Sequence, residues 1–434
     1  MNCSIISIGT ELNLGLITNT NSQYIAQKLS ELGIECNYMF TVPDRVDDIS
    51  NVLKLGIKFS DIIIISGGLG PTDDDLTREA VAAGIGVSLV RNENLDPSSL
   101  KFIRTRRTPE ISDRLLRQSY IPEGSVPILP LIGSASGFRI DIKGGKFIFS
   151  IPGVPKEMRS MFENDIIPFL NNLIEKSGNK STLMKLKKAT LLTTDISETE
   201  IEEKIKDLVL DAKYSGIDIG ITATPGLIKI ILVEKSGNKK KGRKGLKHFE
   251  KEISGRMGNC LYGKGDNIIS DNLKTAIEKA GKNITISTAE SITGGLISSI
   301  ITDTPGSSNF FLGGIVSYSN FSKKKILNID ERLIKQKGVV SMEVCREMAL
   351  NVKNIFSSDY SIAVTGFAGP EHDEGELGLV YCCITGPGDY IKVFEKRFLG
   401  TRAEIKFRTV QFVLNELRNA ILQNSNRVFD SFEK

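Results

Sequence analysis

The run D61-I-I-I-I-S66, followed directly by G67-G-L-G-P-T-D-D-D75, decides the fold of the first part of the chain. Four consecutive isoleucines between polar residues are typical of a central parallel strand that is covered on both faces. Strand and helix patterns alternate before it, with strands predicted over 3–8 and 36–42 and a helix over 21–32. This alternation predicts a mostly parallel α/β sheet with helices on both faces.

Two changes of character along the chain predict three domains. A polar, lysine-rich stretch with two strand-like runs, 217–222 and 227–233, follows the first part and is typical of a small α+β connecting domain. After it the α/β alternation returns, with predicted strands at 284–288, 312–318, 360–365, 379–385 and 391–398 and a last helix that opens with the capping box T401-R-A-E404. The predicted domains are an α/β domain over 1–172, the connecting domain over 173–265 and a second α/β domain over 266–434.

The composition is that of an ordinary soluble protein. Of 434 residues, 40% are hydrophobic and 25% charged, and the net charge of +4 is too small an excess to indicate nucleic-acid binding. The basic run K239-K-K-G-R-K244 is interpreted as a solvated hairpin loop rather than a nucleic-acid contact. The cysteines are scattered, the first residues read as a strand rather than a signal peptide, and no apolar run is long enough to span a bilayer. We therefore expect a cytoplasmic protein without disulfides.

The loop after the isoleucine run is a candidate binding site. Its glycines let backbone N–H groups approach a ligand, the helix that follows favours anions, and the three aspartates could hold a hard divalent cation against a phosphate. Glu11, in a loop after the first strand, could line the same crevice. The alternative is a tight turn whose aspartates only stabilise the first turn of a helix.

A second candidate site combines T288-A-E-S-I-T-G-G295 with Y318-S-N-F-S-K323. The serine follows a strand and precedes a helix whose N-terminal amides, near Gly294, could stabilise an oxyanion. Neither histidine, His248 or His372, lies in a motif, so a lysine of lowered pKa is the better candidate base. The alternatives are that Ser291 caps the helix, Lys323 is one of three lysines on a solvated helix, and Tyr318 merely ends a strand.

Two further features point to the same end of a sheet. The run Thr365-Gly-Phe-Ala-Gly-Pro370 ends a predicted strand with two glycines. Arg402 lies in the first turn of the last helix, where the helix dipole disfavours a cation, so phosphate binding would explain it. The alternative is an exposed arginine.

Taken in order, these motifs resemble the full-length form of the competence/damage-inducible protein family CinA. The first part, with G9-T-E-L12, G67-G-L-G-P-T72, D74-D-L-T77 and Pro152-Gly-Val-Pro-Lys-Glu-Met158, is similar to that family's molybdopterin-binding-like domain, which is linked to metal-dependent ADP-ribose pyrophosphatase activity. The last part, with A289-E-S-I-T-G-G295, Y318-S-N-F-S-K323, G338-V-V-S341 and G400-T-R402, is similar to its nicotinamide mononucleotide deamidase domain.

The resemblance implies roles for individual residues. In the deamidase site Ser291 would be the nucleophile, Lys323 its base, Tyr318 a partner in the site and Arg402 a ligand to the substrate phosphate. The other residues expected to bind substrate are Gly294, Gly295, Thr365, Gly366 and Gly369. The residues expected in the N-terminal site are Glu11, Gly67, Gly68, Gly70, Thr72, Asp74 and Asp75, of which Asp74 and Asp75 would hold a divalent cation.

The same resemblance implies the reaction and the partners. The deamidase would need no cofactor, the ligands would be nicotinamide mononucleotide and ADP-ribose, and the chain would form a homodimer. The alternative is a non-enzymatic protein that binds a nucleotide or a pterin and acts in competence or DNA recombination through partners.

Overall fold

The computed structural model describes residues 1–92, 95, 117–176, 186–235, 244–281, 283–369 and 376–432. Two compact units are present, Met1–Lys187 with Lys235–Lys240, and Lys188–Glu234 with Lys241–Lys434. Most of the predicted connecting domain falls in the second unit, and the two predicted domain boundaries stay a prediction. The basic residues 239–243 and His372 lie outside the described residues. Among the described helices, none is both long and apolar enough to cross a membrane.

The strands and helices alternate through most of the chain. The strands are β1 (Asn2–Ile8), β2 (Glu35–Val42), β3 (Ile62–Ser66), β4 (Leu89–Arg91), β5 (Tyr120–Pro122), β6 (Val126–Ile128), β7 (Gly137–Ile142), β8 (Lys146–Ile151), β9 (Leu186–Thr193), β10 (Ile217–Thr224), β11 (Leu227–Lys235), β12 (Leu261–Lys264), β13 (Ile286–Glu290), β14 (Phe311–Val316), β15 (Tyr360–Gly366), β16 (Leu379–Thr385) and β17 (Ile391–Arg397). The α-helices are Thr10–Asn13, Thr20–Glu31, Val46–Phe59, Thr77–Ile85, Pro155–Met161, Ile167–Lys176, Glu198–Tyr214, Leu246–Met257, Ile269–Lys279, Leu296–Thr302, Asn320–Lys325, Glu331–Lys337, Met342–Phe356 and Arg402–Phe432.

The isoleucine run forms the centre of the first sheet, as predicted. This sheet has the order β2-β1-β3-β8-β7-β6, and β3 pairs in parallel with both β1 and β8. All five residues of β3 are buried. Ile63 and Ile65 pack into one core and Ile62 and Ile64 into another, so helices cover both faces. The prediction of a mostly parallel α/β sheet is confirmed.

The second unit contains two sheets. The segment between the α/β parts forms a four-stranded sheet of order β10-β11-β9-β12, in which the predicted hairpin pairs β10 with β11. The last part forms a five-stranded sheet of order β14-β13-β15-β16-β17. Here β13 is parallel to β14 and β15, whereas β16 and β17 are antiparallel additions. The α/β class predicted for this part is confirmed.

Two predicted strands of this sheet were placed two residues off. The strand predicted over 284–288 is β13, Ile286–Glu290, because these five residues are the ones that pair with both β14 and β15. The strand predicted over 312–318 ends earlier, at Val316. Ser317 and Tyr318 therefore belong to the connection after the strand, where Ser317 is buried and Tyr318 is exposed.

Candidate active site

Three predicted motifs follow three neighbouring parallel strands of the five-stranded sheet. The strand β13 ends at Glu290, β14 at Val316 and β15 at Gly366, and Glu290 is in register with both Val316 and Val364. Because the carboxyl ends of parallel strands meet at one edge of a sheet, the residues that follow lie close together. This edge holds Ser291, the Tyr318–Lys323 segment and the Gly366–Gly369 loop.

Ser291 and Lys323 are in direct contact there. The Lys323 ammonium donates hydrogen bonds to the Ser291 hydroxyl, at 2.9 Å between Nζ and Oγ, and to the Ser317 carbonyl at 2.8 Å. Lys323 is 1% exposed and Ser291 8%. Burial lowers the pKa of Lys323 from 10.5 to about 8, because an ammonium loses its hydration in a protein interior. This lysine can therefore lose its proton near neutral pH.

The simpler interpretations of these two residues are wrong. Lys323 does not lie on the solvated face of its helix, whereas its neighbours do: Lys324 pairs with Glu331 and Lys325 is exposed. Nor does Ser291 cap the next helix, because that helix begins at Leu296 after Gly295 as its N-cap. Ser291 instead sits in a turn between the strand and the helix, with its amide donating to the Val364 carbonyl.

The turn that carries Ser291 is held from below by Glu290, a residue that the sequence reasoning missed. Its carboxylate is 0% exposed and accepts hydrogen bonds at 2.7–3.0 Å from Thr293 Oγ1, from the amides of Gly295, Ile297 and Ser298, and from Ser298 Oγ. Glu290 thus satisfies the first N–H groups of the helix, which have no intrahelical acceptor. An acidic residue at the end of a buried strand was the signal available in the sequence.

This arrangement corrects the predicted oxyanion donors. We expected the helix amides near Gly294 to face a ligand, but the Gly294 amide donates to the Ser291 carbonyl and the Gly295 amide to Glu290. Within the described part of the chain, the amides of Ile292 and Thr293 donate to no protein group. These two are the backbone donors left in the turn.

Arg402 joins two of the predicted site segments. Its guanidinium donates to the Gly369 carbonyl at 2.7 Å and to the Tyr318 hydroxyl at 2.6 Å. The last helix therefore ties the loop after β15 to the segment after β14, and Arg402 is more than an exposed arginine. Tyr318 remains 59% exposed, as a residue open to a ligand would be.

The remaining predicted residues divide into two groups. Gly294 and Gly295 have left-handed φ values of 61° and 97°, and Gly366 packs beside the turn, since an added Cβ would lie 2.9 Å from Ile292 Cδ1. Thr365 is not directed at Ser291: it is buried, and its hydroxyl donates to the Val339 carbonyl at 3.3 Å. We infer that Thr365 supports the loop.

Sequence reasoning also missed Lys406, one turn beyond Arg402. Its Nζ lies 3.6 Å from the position that a Cβ on Gly294 would take. The spacing R402-x-x-x-K406, which puts two cations on one helix face, was the available signal.

A cavity lies in the first unit, at the carboxyl ends of β1, β3 and β8. Its volume is about 470 Å³, and it brings together Glu11, Gly67, Gly68, Gly70, Asp74 and Asp75 from the predicted set. Thr72 does not line it, because its amide donates to Asp75 Oδ2 at 2.9 Å and holds the loop. Residues that we did not predict, Asp44, Gln118, Gly153 and Glu157, complete the wall.

The glycine loop is fixed by close packing and by a buried arginine. At Gly67, with φ at +116°, an added Cβ would lie 2.3 Å from the Ile8 carbonyl oxygen, so only glycine fits. Arg78 is 2% exposed and donates to the carbonyls of Leu69 and Gly70, and burial lowers its pKa to about 10. Asp73 faces away from this network and pairs with Arg117.

The predicted cation site offers two carboxylates, Asp74 and Asp75, on the wall of this cavity. Among the described residues, no group of three or more His, Cys, Asp or Glu could hold a metal ion. Magnesium sites of nucleotide enzymes, however, commonly use one or two carboxylates and complete the shell with phosphate oxygens and water. Asp74 and Asp75 fit that mode, and a divalent ion there would offset the charge on a bound diphosphate.

Three families match consecutive parts of the chain. Residues 4–172 match the "Probable molybdopterin binding domain", 188–263 the "Damage-inducible protein CinA KH domain" and 269–421 the "CinA C-terminal domain". A protein of Halothermothrix orenii named as competence-damage inducible is 37% identical over 95% of this chain and 96% of its own. A protein of the same name from Caldicellulosiruptor bescii is 36% identical over 97% of this chain and 100% of its own. A crystal structure of the CinA protein of unknown function from Thermoplasma acidophilum is 33% identical and covers 41% of this chain and 96% of that chain, with a TM-score of 0.35.

Proposed function

Because this chain belongs to the CinA family, as relatives 37% and 36% identical to it over nearly their whole length show, we propose that its Ser291 site is an amidohydrolase. The substrate would be nicotinamide mononucleotide, and the products nicotinate mononucleotide and ammonia. One observation carries this proposal: a buried lysine of lowered pKa contacts a serine hydroxyl at the edge of a parallel sheet. A serine and a base within hydrogen-bond reach are the minimum that nucleophilic catalysis requires.

The first half of the reaction forms an ester. Neutral Lys323 accepts the Ser291 proton while Oγ attacks the carboxamide carbon, and the amides of Ile292 and Thr293 are the candidate donors to the oxyanion. The carbon–nitrogen bond then breaks, and the leaving nitrogen takes the proton from Lys323 and departs as ammonia. The hydrogen bond from Lys323 to the Ser317 carbonyl holds Nζ beside Ser291 and takes up one of its N–H groups.

The second half hydrolyses the ester. Lys323, neutral again, accepts a proton from a water that attacks the acyl carbon, and it returns that proton to Ser291 as the ester bond breaks. Arg402 would lie near the phosphate of the nucleotide, so that binding energy far from the amide positions the reacting carbon. None of these steps passes through a metal ion.

A pH profile of purified protein tests the base. Since only neutral Lys323 can accept the serine proton and its pKa is about 8, kcat/KM for ammonia release should rise with pH through that value and level off above it. The assay is ammonia release from nicotinamide mononucleotide between about pH 6.5 and 9.5, limits chosen to bracket that pKa. A profile that is flat or that falls over this range would reject Lys323 as the base. Absence of turnover at every pH would favour the alternative, a non-enzymatic nucleotide- or pterin-binding protein.

A second activity is proposed for the cavity of the first unit. One cavity is lined by Glu11, the glycine loop, Asp74 and Asp75. This combination of backbone amides and carboxylates favours a site for a diphosphate. The reaction would be divalent-metal-dependent hydrolysis of ADP-ribose, with the cation offsetting charge on the leaving phosphate.

We expect Asp74→Asn in the full chain to lower metal-dependent hydrolysis of ADP-ribose by about 100-fold or more, since a metal ion contributes several kcal/mol to such reactions. Asp73→Asn is the matched control, because Asp73 forms an ion pair with Arg117 and does not line the cavity. Ser291→Ala should leave this activity intact, and Asp74→Asn should leave ammonia release intact. Turnover of ADP-ribose in Asp74→Asn equal to that of the wild type would reject the site.

A further inference from the structure

Gln118 is a buried amide side chain in the wall of the cavity of the first unit. It is 2% exposed and lines the same cavity as the glycine loop and the two aspartates that follow it. Its neighbour Arg117 forms an exposed ion pair with Asp73. One of these two consecutive side chains therefore faces solvent, and the other faces the cavity wall.

Both halves of the Gln118 amide lack a partner. Within the described ranges of the chain, neither its Nε2 donor nor its Oε1 acceptor makes a hydrogen bond. Buried amides are normally paired, because folding removes the water that satisfied them. Asn415, which is also 2% exposed, donates to the Asn259 carbonyl and accepts from Arg418. An amide with two unpaired groups at the wall of a cavity points to a partner that arrives with a ligand.

The unpaired groups indicate the chemistry of that partner. A diphosphate offers acceptors only, so it would satisfy Nε2 of Gln118 and leave Oε1 without a donor. Both halves are satisfied by a group that presents a donor and an acceptor side by side. The N6 and N7 edge of adenine is one such group, and two neighbouring hydroxyls of a ribose are another. The simpler interpretation, a glutamine that stabilises the fold, would need hydrogen bonds that this amide does not make among the described residues.

We propose that Gln118 binds a neutral part of the ligand next to the diphosphate, an adenine edge or a ribose diol, through both halves of its amide. The glycine loop, Asp74 and Asp75 would serve the diphosphate itself. The proposal rests on the function proposed above for this cavity. It makes Gln118 a determinant of the preference for a nucleotide ester over a bare diphosphate.

A binding test uses two compounds whose bridging carbon resists hydrolysis, the methylene analogue of ADP-ribose and methylenediphosphonate. Each is titrated with magnesium into full-length wild type and Gln118→Leu by calorimetry. Gln118→Leu should bind the ADP-ribose analogue about 10- to 100-fold more weakly, as expected for two hydrogen bonds to neutral groups. It should bind methylenediphosphonate within a few-fold of the wild type. The matched control is Gln27→Leu on the exposed side of a helix of the same unit, which should change neither affinity.

A stability measurement separates binding from a role in the fold. Because the Gln118 amide makes no hydrogen bond among the described residues, the urea midpoint of Gln118→Leu should be no lower than that of the wild type. A lower midpoint with an equal loss of affinity for both compounds would overturn the proposal and assign Gln118 to the fold. Equal affinity of the wild type and Gln118→Leu for the ADP-ribose analogue would also overturn it.

A kinetic test distinguishes the two groups that Gln118 could bind. Hydrolysis of ADP-ribose is compared with that of its inosine counterpart, in which an acceptor replaces the N6 donor of adenine. Loss of a preference for ADP-ribose in Gln118→Leu identifies the adenine edge, and an equal fall for both substrates identifies a ribose diol. If the wild type binds the analogue but hydrolyses neither substrate, the pyrophosphatase is rejected and calorimetry alone decides the role of Gln118. If the wild type binds neither titrated compound, the diphosphate site itself is rejected, and the proposal with it.

Discussion

Ser291→Ala is expected to lower ammonia release from nicotinamide mononucleotide by roughly four to six powers of ten, the loss found when a covalent nucleophile is removed from a serine hydrolase. The backbone donors and the substrate pocket would remain, so any residual rate reports binding and oxyanion stabilisation alone. The side chain is small and makes one hydrogen bond, to Lys323, so the fold should be unaffected.

The control for this prediction is Ser299→Ala, on the exposed side of the helix that follows. Its rate should stay within a few-fold of that of the wild type. Lys323→Met should lose activity to a similar degree as Ser291→Ala, and the double variant should lose little more, because the two residues act as a unit. Ammonia release by Ser291→Ala within a few-fold of the wild type would contradict the assignment of the nucleophile.

Lys323→Met should also show that burying the lysine ammonium lowers the stability of the folded protein. Folding lowers the pKa of Lys323 in the wild type, so near neutral pH the folded protein must bury an ammonium that prefers water. Between about pH 8 and 10.5 the folded protein has lost this proton and the unfolded chain has not. The free energy of unfolding of the wild type should therefore rise with pH over that range. Methionine removes this cost and keeps most of the volume. The unfolding midpoint of the inactive variant should therefore be no lower than that of the wild type.

The second large effect is expected from Glu290→Gln. The glutamate accepts all five of its hydrogen bonds through two carboxylate oxygens, and glutamine would place an NH₂ group where one oxygen accepts from backbone amides. Leaving buried donors unpaired costs about 1–3 kcal/mol each, so we expect a loss of roughly 2–4 kcal/mol in the free energy of unfolding. Activity should fall as well, because the turn that carries Ser291 loses its support.

Urea denaturation of Glu290→Gln beside Glu278→Gln measures this effect. Glu278 has a side chain that is 63% exposed on a neighbouring helix, and its replacement should change stability by less than about 0.5 kcal/mol. Equal unfolding of Glu290→Gln and the wild type would mean that the cap contributes little. The activity of Glu290→Gln should be measured well below its unfolding midpoint, so that a displaced turn is not confused with unfolded protein.

Much of the fold followed from local patterns. The isoleucine run, the hairpin at 217–233 and the capping box at Thr401 and Glu404 were all found where the periodicity and cap chemistry predicted them. These features depend on neighbours in sequence. The ends of β13 and β14 were misplaced because the parallel pairing of Ile286–Glu290 with Phe311–Val316 determines their bounds, and a local pattern does not show that pairing.

The site was predicted in part for the same reason. Ser291, Tyr318 and Lys323 belong to short motifs at strand ends, so their proximity followed from the parallel sheet. The choice of Lys323 among three consecutive lysines came from the family resemblance, because a local pattern does not show which of them the packing of the helix buries. The approach of Lys406 to Gly294 joins two segments far apart in the chain, and no local pattern predicts it.

The cap made by Glu290 also limits how the site can move. Many catalytic loops open on their own, with few contacts to the core, and exchange their amide hydrogens quickly. Here the amides of Gly295, Ile297 and Ser298 are bonded to a carboxylate at the end of β13, a strand that is paired on both sides. These three amides can be released only when that strand end is exposed, so their hydrogens should exchange as slowly as those of β13. The nucleophile is therefore carried by a turn that is tied to the sheet, and we expect movements that admit substrate to come from the surrounding segments.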